Sequence, residues 1–238
     1  PLNDKRVRLA LNLAIDRQAL VETLYHGLAI PAKNPIPPTL WGYNDEVPDF
    51  KYDPAKAQAL LAEAGFKQGL KLKLWAMATG RPYMTEPLKV AEFLQAAWKK
   101  IGVQATIESM EISTYLAKLQ KGEHELALAG WIADNGDPDN FLYGLFDPTS
   151  MGSTSFFFYY NDELHQILKK AQEETVQSKR AELYRRAQEI IAADVPYIPL
   201  VHAKNIACGR AVVQGFVLQP TAKLMLHKVW KARSAGSV

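Results

Sequence analysis

Apolar positions recur every three or four residues through residues 4–26, DKRVRLALNLAIDRQALVETLYH, placing Val7, Leu11, Ala14, Ile15 and Leu20 on one helical face. Asn3 or Asp4 supplies a cap and Gly27 a stop, so the spacing predicts one helix over the whole stretch. The following segment, IPAKNPIPPTLWGYNDEVPDFKYDP, keeps neither the helical nor the strand period and is broken by prolines, which predicts an irregular connection. It ends on Asp53-Pro54, a cap followed by proline at the first helical position, and AKAQALLAEAG then runs to Gly65, so a second helix is marked at both ends. Residues 69–76, GLKLKLWA, switch to alternating apolar residues and lysines, the pattern of a half-buried strand. Residues 86–101 read as a long amphipathic helix, VQATIESM as a strand, STYLAKLQKG as a short helix and ELALAGW as a third strand. From Asn161 the pattern predicts two more helices, and residues 197–201 a last strand that Pro196 and Pro199 mark as an edge. This order of strands and helices predicts an α/β fold, a layered sheet with flanking helices.

Composition narrows the function classes. The 28 Lys and Arg are interspersed with the 25 Asp and Glu, so no basic face for nucleic acid is expected. No run approaches the ~20 apolar residues of a membrane span, and charges throughout the first helix argue against a signal peptide there. A single cysteine, Cys208, excludes an internal disulfide and a cysteine-based metal cluster. The histidines at 26, 124, 165, 202 and 227 share no ligand spacing, so neither a metal nor a cofactor is expected. Nucleophile elbow, phosphate loop and dinucleotide fingerprint are all missing, and no catalytic residue is indicated. Ser153-Thr154-Ser155 before FFFYY reads as a turn entering a β-prone aromatic segment that packs in the core.

One segment resists the bland reading. Residues 130–140, GWIADNGDPDN, place three aspartates and two asparagines in a turn-forming stretch behind an apolar run. A calcium loop cannot be laid over it in any register, because no Glu stands six residues beyond the glycine. A solvated acidic turn and a ligand-contacting loop both remain open on these residues alone.

Four texts in order carry a resemblance: PLNDKRVRLALNLAIDRQALVETLYHGLA; IPP with WGY and YDPAKAQALLAEAGF; RPYMTEPLKVAEFLQAAWKKIGVQATIE; and GEHELALAGWIADNGDPDNFL. Together they resemble the second half of the periplasmic dipeptide- and oligopeptide-binding proteins that feed peptide ABC transporters. RPY and GWxxDNGDPDNF point toward dipeptides, while the nickel-, haem- and glutathione-binding branches share the first motifs. The resemblance implies a periplasmic-binding-protein-like second lobe over residues 1–216, non-catalytic, located in the periplasm or otherwise outside the cytoplasm. Residues 217–238 are then a return segment that pairs with an N-terminal lobe lying outside this sequence. Its implied partners are a dipeptide or short peptide, that first lobe and the ABC transporter permease. An isolated lobe, natural or engineered, is expected to self-associate through the uncovered face.

In proteins of this kind the aspartate opening DNGDPDN takes the peptide ammonium, which falls on Asp134, and the arginine of RPY takes the carboxylate, which falls on Arg81. A dipeptide is a zwitterion whose charges both need partners on burial, and a planar guanidinium grips a carboxylate through two parallel bonds. Two extended residues span only ~7 Å, so a fixed pair measures ligand length. Trp131 and Tyr83 either wall the side-chain pocket or belong to the core. Gly130 and Gly136 either allow a close main-chain approach to the ligand or serve turn geometry. Asp137 is expected to preset the Pro138 turn, and Asp139 with Asn140 to cap a helix over residues 141–146.

Overall fold

The computed structural model describes residues 1–232. The stretch predicted as one N-terminal helix is two, α1 (Lys5–Leu13) and α2 (Arg17–Leu24). The apolar period runs through the break, but Asp16 turns its carboxylate onto the Ala19 amide and restarts the helix as a cap. A short strand, β1 (Ala29–Pro31), opens the proline-rich connection, and α3 (Pro54–Glu63) follows with the expected Asp53 cap and Gly65 at φ +92°. Then come β2 (Leu70–Met77), α4 (Pro87–Lys99), β3 (Val103–Met110), α5 (Ile112–Gln120) and β4 (Leu126–Ala127). Of the predicted ELALAGW strand only two residues pair, and the Leu128 amide still donates to the Trp75 carbonyl before the chain runs on toward the acidic loop.

These strands form a three-stranded parallel sheet in the order β3-β2-β4, so the predicted strand-helix alternation is present. Leu70, Leu72 and Leu74 of β2 are buried while Lys71 and Lys73 face out, as alternation requires. The helices α1, α3 and α4 pack with the sheet in one core that includes Leu11, Ile15, Leu94 and Trp98, while Tyr115 of α5 packs against Trp75, whose position in β2 points opposite to Leu74.

The second half is helical: α6 (Asp139–Phe146), a single 3-10 turn (Pro148–Ser150), α7 (Asp162–Glu173) and α8 (Gln177–Asp194). Their core gathers Leu142, Phe146, Leu164, Leu168, Tyr184 and Ile191. The FFFYY segment forms no strand; Phe156, Phe157 and Tyr159 pack against the cores, Phe157 stacking on Phe146 at 4.9 Å, whereas Phe158 and Tyr160 are exposed, contrary to the expectation that the segment packs in the core. The predicted last strand is displaced, and β5 (Val201–Ala203) pairs antiparallel with β1, Ala29 against Ala203. Pro199 lies before the paired residues, and the Leu200 carbonyl already accepts from Ala32. A small hairpin of β6 (Val213–Gln214) and β7 (Trp230–Lys231) ends the described chain; residues 233–238 of the predicted return segment lie outside it.

Two arginines, Arg17 buried and Arg8 partly buried, join these parts. Arg17, 6% exposed, donates from Nε to the Pro199 carbonyl at 2.6 Å, from Nη1 to the Phe50 and Asn12 carbonyls, and from Nη2 to the Asn12 side chain. Burial lowers its pKa to about 10, so the guanidinium stays charged at neutral pH. Arg8 donates to the Asp194 and Val195 carbonyls at the end of α8, where a cation also meets the negative end of the helix dipole.

Two outcomes follow from this packing. Arg17→Ala strands carbonyl acceptors from three segments and is expected to lower the unfolding free energy by about 3 kcal/mol in urea titrations; a change below about 1 kcal/mol would show that the segments hold without it. His202 of β5 is the second case, since burial lowers its pKa from 6.5 to about 4. Between those values the unfolded chain holds the extra proton, so stability drops as the pH falls from 6.5 toward 4. His202→Gln is expected to shrink the stability difference between about pH 7 and about pH 4.5 by roughly 2 kcal/mol. Equal pH dependence in both proteins would rule out His202 as the source.

Candidate functional site

The turn that carries Arg81 leaves β2 at its C-terminal end, and the 130–140 loop leaves β4 at its C-terminal end. The two strands are parallel neighbours, Leu74 paired with Leu126 and Trp75 with Ala127, so both segments emerge at one edge of the sheet. In open α/β sheets that edge is where ligands bind.

Each segment is fixed locally. Arg81 and Met84 exchange backbone hydrogen bonds of 2.8 and 2.9 Å, which closes the RPY turn, and buried Met84 anchors it. Tyr83 is thereby held against Gly130: a methyl group added to Gly130 would stand 2.3 Å from the tyrosine ring. Glycine is required there for close approach, since Gly130 does not have a left-handed φ. Gly136 has open space beside it and no positive φ, so neither reading offered for a glycine is needed; its contribution is a carbonyl that accepts from Trp41 Nε1 at 2.8 Å.

The three aspartates have three different environments. Asp137 receives Arg180 through two parallel bonds, 2.8 and 3.0 Å, and also accepts from the Asp139 amide. That guanidinium donates to the Tyr184 hydroxyl at 2.8 Å and lies over the Trp41 ring at 5.3 Å. Burial opposes the Arg180 charge, but Asp137 and Tyr184 hold its pKa above the ordinary arginine value. Asp139 accepts from Gln172 and Tyr184; burial, with Asp137 nearby, raises its pKa. Asp134 is exposed, and among the described residues its carboxylate has no hydrogen-bond or ion-pair partner. Arg81 is exposed with its guanidinium equally unpaired among those residues.

The predicted cap of α6 is corrected. The helix starts at Asp139, not at residue 141, and Pro138 occupies the cap without a side-chain bond. Asn140 is instead turned onto the loop, where its Oδ1 accepts from Trp131 Nε1 at 2.8 Å and from the Asp134 amide at 3.1 Å. Lys223 of the return segment reaches the Asp134 carbonyl at 2.9 Å.

Tyr83, Gly130, Trp131 and Gly136 line a cavity of 1010 Å³ together with Trp41, Phe141, Phe157 and Tyr197. Arg81 and Asp134 do not line it; they lie outside on exposed backbone next to residues that do. Trp131 and Tyr83 are half-buried, each packed at the margin of one of the two cores while facing the cavity. Sequence reasoning missed Trp41, Arg180 and the loop-directed role of Asn140. Arg180 sits among the alternating charges of a surface helix, which carry no sign of a partner 43 positions away. Trp41 lies in a connection with no period.

Comparison with known proteins matches residues 1–153 to the model of bacterial extracellular solute-binding proteins, family 5 Middle. The chain is 41% identical over 225 residues to the dipeptide-binding protein of Escherichia coli K12, covering 94% of this chain and 42% of that protein. It is 39% identical to heme-binding protein A of Haemophilus influenzae, covering 92% and 40%. A solved structure of the Helicobacter pylori periplasmic binding protein in complex with the peptide STSA is similar over 98% of this chain and 45% of that one, with a TM-score of 0.84 and 36% identity. The chain thus spans less than half the length of these relatives. The fold, a periplasmic-binding-protein-like α/β lobe, and the family match agree: this chain belongs to the bacterial extracellular solute-binding proteins of family 5.

Proposed function

We propose that this chain is the ligand-contacting second lobe of a non-catalytic receptor outside the cytoplasm, one that delivers short peptides, dipeptides first among them, to an ABC transporter permease. The observation that carries this reading is the seat of Tyr83 on Gly130, which sets the Arg81 turn beside the Asp134 loop at one sheet edge. Asp134 then takes the peptide ammonium and Arg81 the carboxylate. Trp131 and Tyr83 wall the side-chain space, and Gly130 serves it by admitting the Tyr83 ring, while Gly136 lines the same cavity. Support comes from the division of the aspartates: Asp137 and Asp139 are bonded to other side chains, and among the described residues the acid at the head of the loop is left free.

In this reading residues 1–216 form the lobe, and residues 217–238 return to the first lobe. Val217, Leu224, Leu226 and Trp230 are each more than half exposed, an apolar surface that the first lobe covers or, without it, a second copy of the chain. A larger ligand is the second reading. The cavity of 1010 Å³ exceeds what a dipeptide needs, its walls are aromatic, and one relative is named for haem.

The tests separate these. A lobe that contacts only one side of its ligand leaves the charge pairs open to water, where each is worth ~0–1 kcal/mol. The chain alone is expected to bind dipeptides at about millimolar affinity or weaker by calorimetry, and addition of a first lobe to restore tight binding that Asp134→Asn then abolishes. Micromolar binding by this chain alone would overturn the two-sided mechanism. Titration with di-, tri- and tetrapeptides reads the length gauge, and haem titration followed by absorbance reads the second reading; tight haem binding with no peptide binding would replace the first.

A further inference from the structure

We propose that Asn140 is a positioning residue for the ligand site, setting the Trp131 ring and the Asp134 main chain together through one neutral acceptor. The proposal rests on the reading of Asp134 as the ammonium partner, and its geometric part can be decided without that reading.

Asn140 Oδ1 stands 2.8 Å from Trp131 Nε1 and 3.1 Å from the Asp134 amide nitrogen. Both partners are N–H donors, so the oxygen of the amide and not its nitrogen must face them, and two donors use its two lone pairs. The residue belongs to the first turn of α6, whose next two positions, Phe141 and Leu142, are buried in the helical core. The bond therefore ties a loop to a rigid element. The other fastenings are Lys223, which bonds no wall residue of the loop, on the Asp134 carbonyl and, further along, Trp41 on the Gly136 carbonyl and Arg180 on Asp137. Among the described residues, Asn140 alone bonds both a wall residue and the backbone of the free acid.

An amide suits the task better than the acids around it. A carboxylate at position 140 could accept the same two bonds, and more strongly. It would also place a second negative charge beside Asp134, disfavouring its ionised form and competing with it for a ligand ammonium. The neutral oxygen pins the loop and leaves the charge of the site to Asp134.

Nuclear magnetic resonance on this chain tests the geometry. In the unsubstituted protein the Trp131 indole proton and the Asp134 amide proton are both expected to show close contacts to the Asn140 side chain; the absence of either overturns the proposal, even if every variant fails to fold. Asn140→Ala is expected to shift both signals together and speed their hydrogen exchange about tenfold or more, while Asn140→Asp keeps both protected. Unchanged signals in Asn140→Ala would overturn it equally. With a first lobe added, Asn140→Ala is expected to weaken a free dipeptide about tenfold and its N-acetylated form, which lacks the ammonium, about twofold or less. Equal losses for both ligands would mean a merely structural residue and reject the positioning role. If the unsubstituted receptor binds the free and acetylated peptides alike, the assignment of Asp134 has failed, while the resonance measurements still decide the pin.

Discussion

A guanidinium with only neutral partners ties the ends of this chain to its middle. Arg17 reaches the end of α1 through Asn12, the proline-rich connection through the Phe50 carbonyl, and the approach to β5 through the Pro199 carbonyl. A carboxylate partner would have joined two points; a fork of donors aimed at main-chain oxygens joins three segments far apart in sequence. The burial that lowers its pKa is tolerated because each of the three nitrogens of the fork meets an acceptor. Asn12 completes the joint by giving its own amide to the Arg8 and Tyr197 carbonyls. The strand pair β1–β5, and with it one wall of the cavity, is held at the position this joint sets.

The same economy recurs at the sheet edge. Parallel pairing of β2 with β3 and β4 brings two loops to one side, and the site is then made by what restrains those loops. An absent side chain at Gly130 admits the Tyr83 ring, and the Asp137–Arg180 fork fixes the far end of the acidic loop. Preorganisation of this kind lowers the ordering entropy that a ligand must overcome.

Elements with local signals were legible in the sequence. The Asp53-Pro54 cap, the alternation of residues 70–74 and the long amphipathic stretch before residue 101 all specify structure by contacts within a few residues. What could not be read depends on partners far away. The helical face of residues 4–26 continues past a break that only the Asp16 cap betrays, β4 ends where its neighbour ceases to pair, and β5 is placed by β1. At the site, the two motifs lie on loops that leave one sheet edge, and among the described residues Asp134, which the resemblance named for the ammonium, is the aspartate of the three whose carboxylate bonds no other group. The use of Asp137 and Asp139 was not legible, since Arg180, Gln172 and Tyr184 lie on helices that the loop meets only in the folded chain.

The pairing of Ala29 with Ala203 has a kinetic side. The βαβαβ unit from β2 to β4 can form from contacts between near neighbours in sequence, whereas β1 and β5 pair across most of the chain. Loop-closure entropy grows slowly with length, about 0.6 kcal/mol per doubling, so the long separation weakens the final state little, but non-local pairing slows the approach to it. On this ground the parallel sheet is expected to form before its acidic loop, which waits for α7 and α8, and before the cavity wall contributed by residues 197–203.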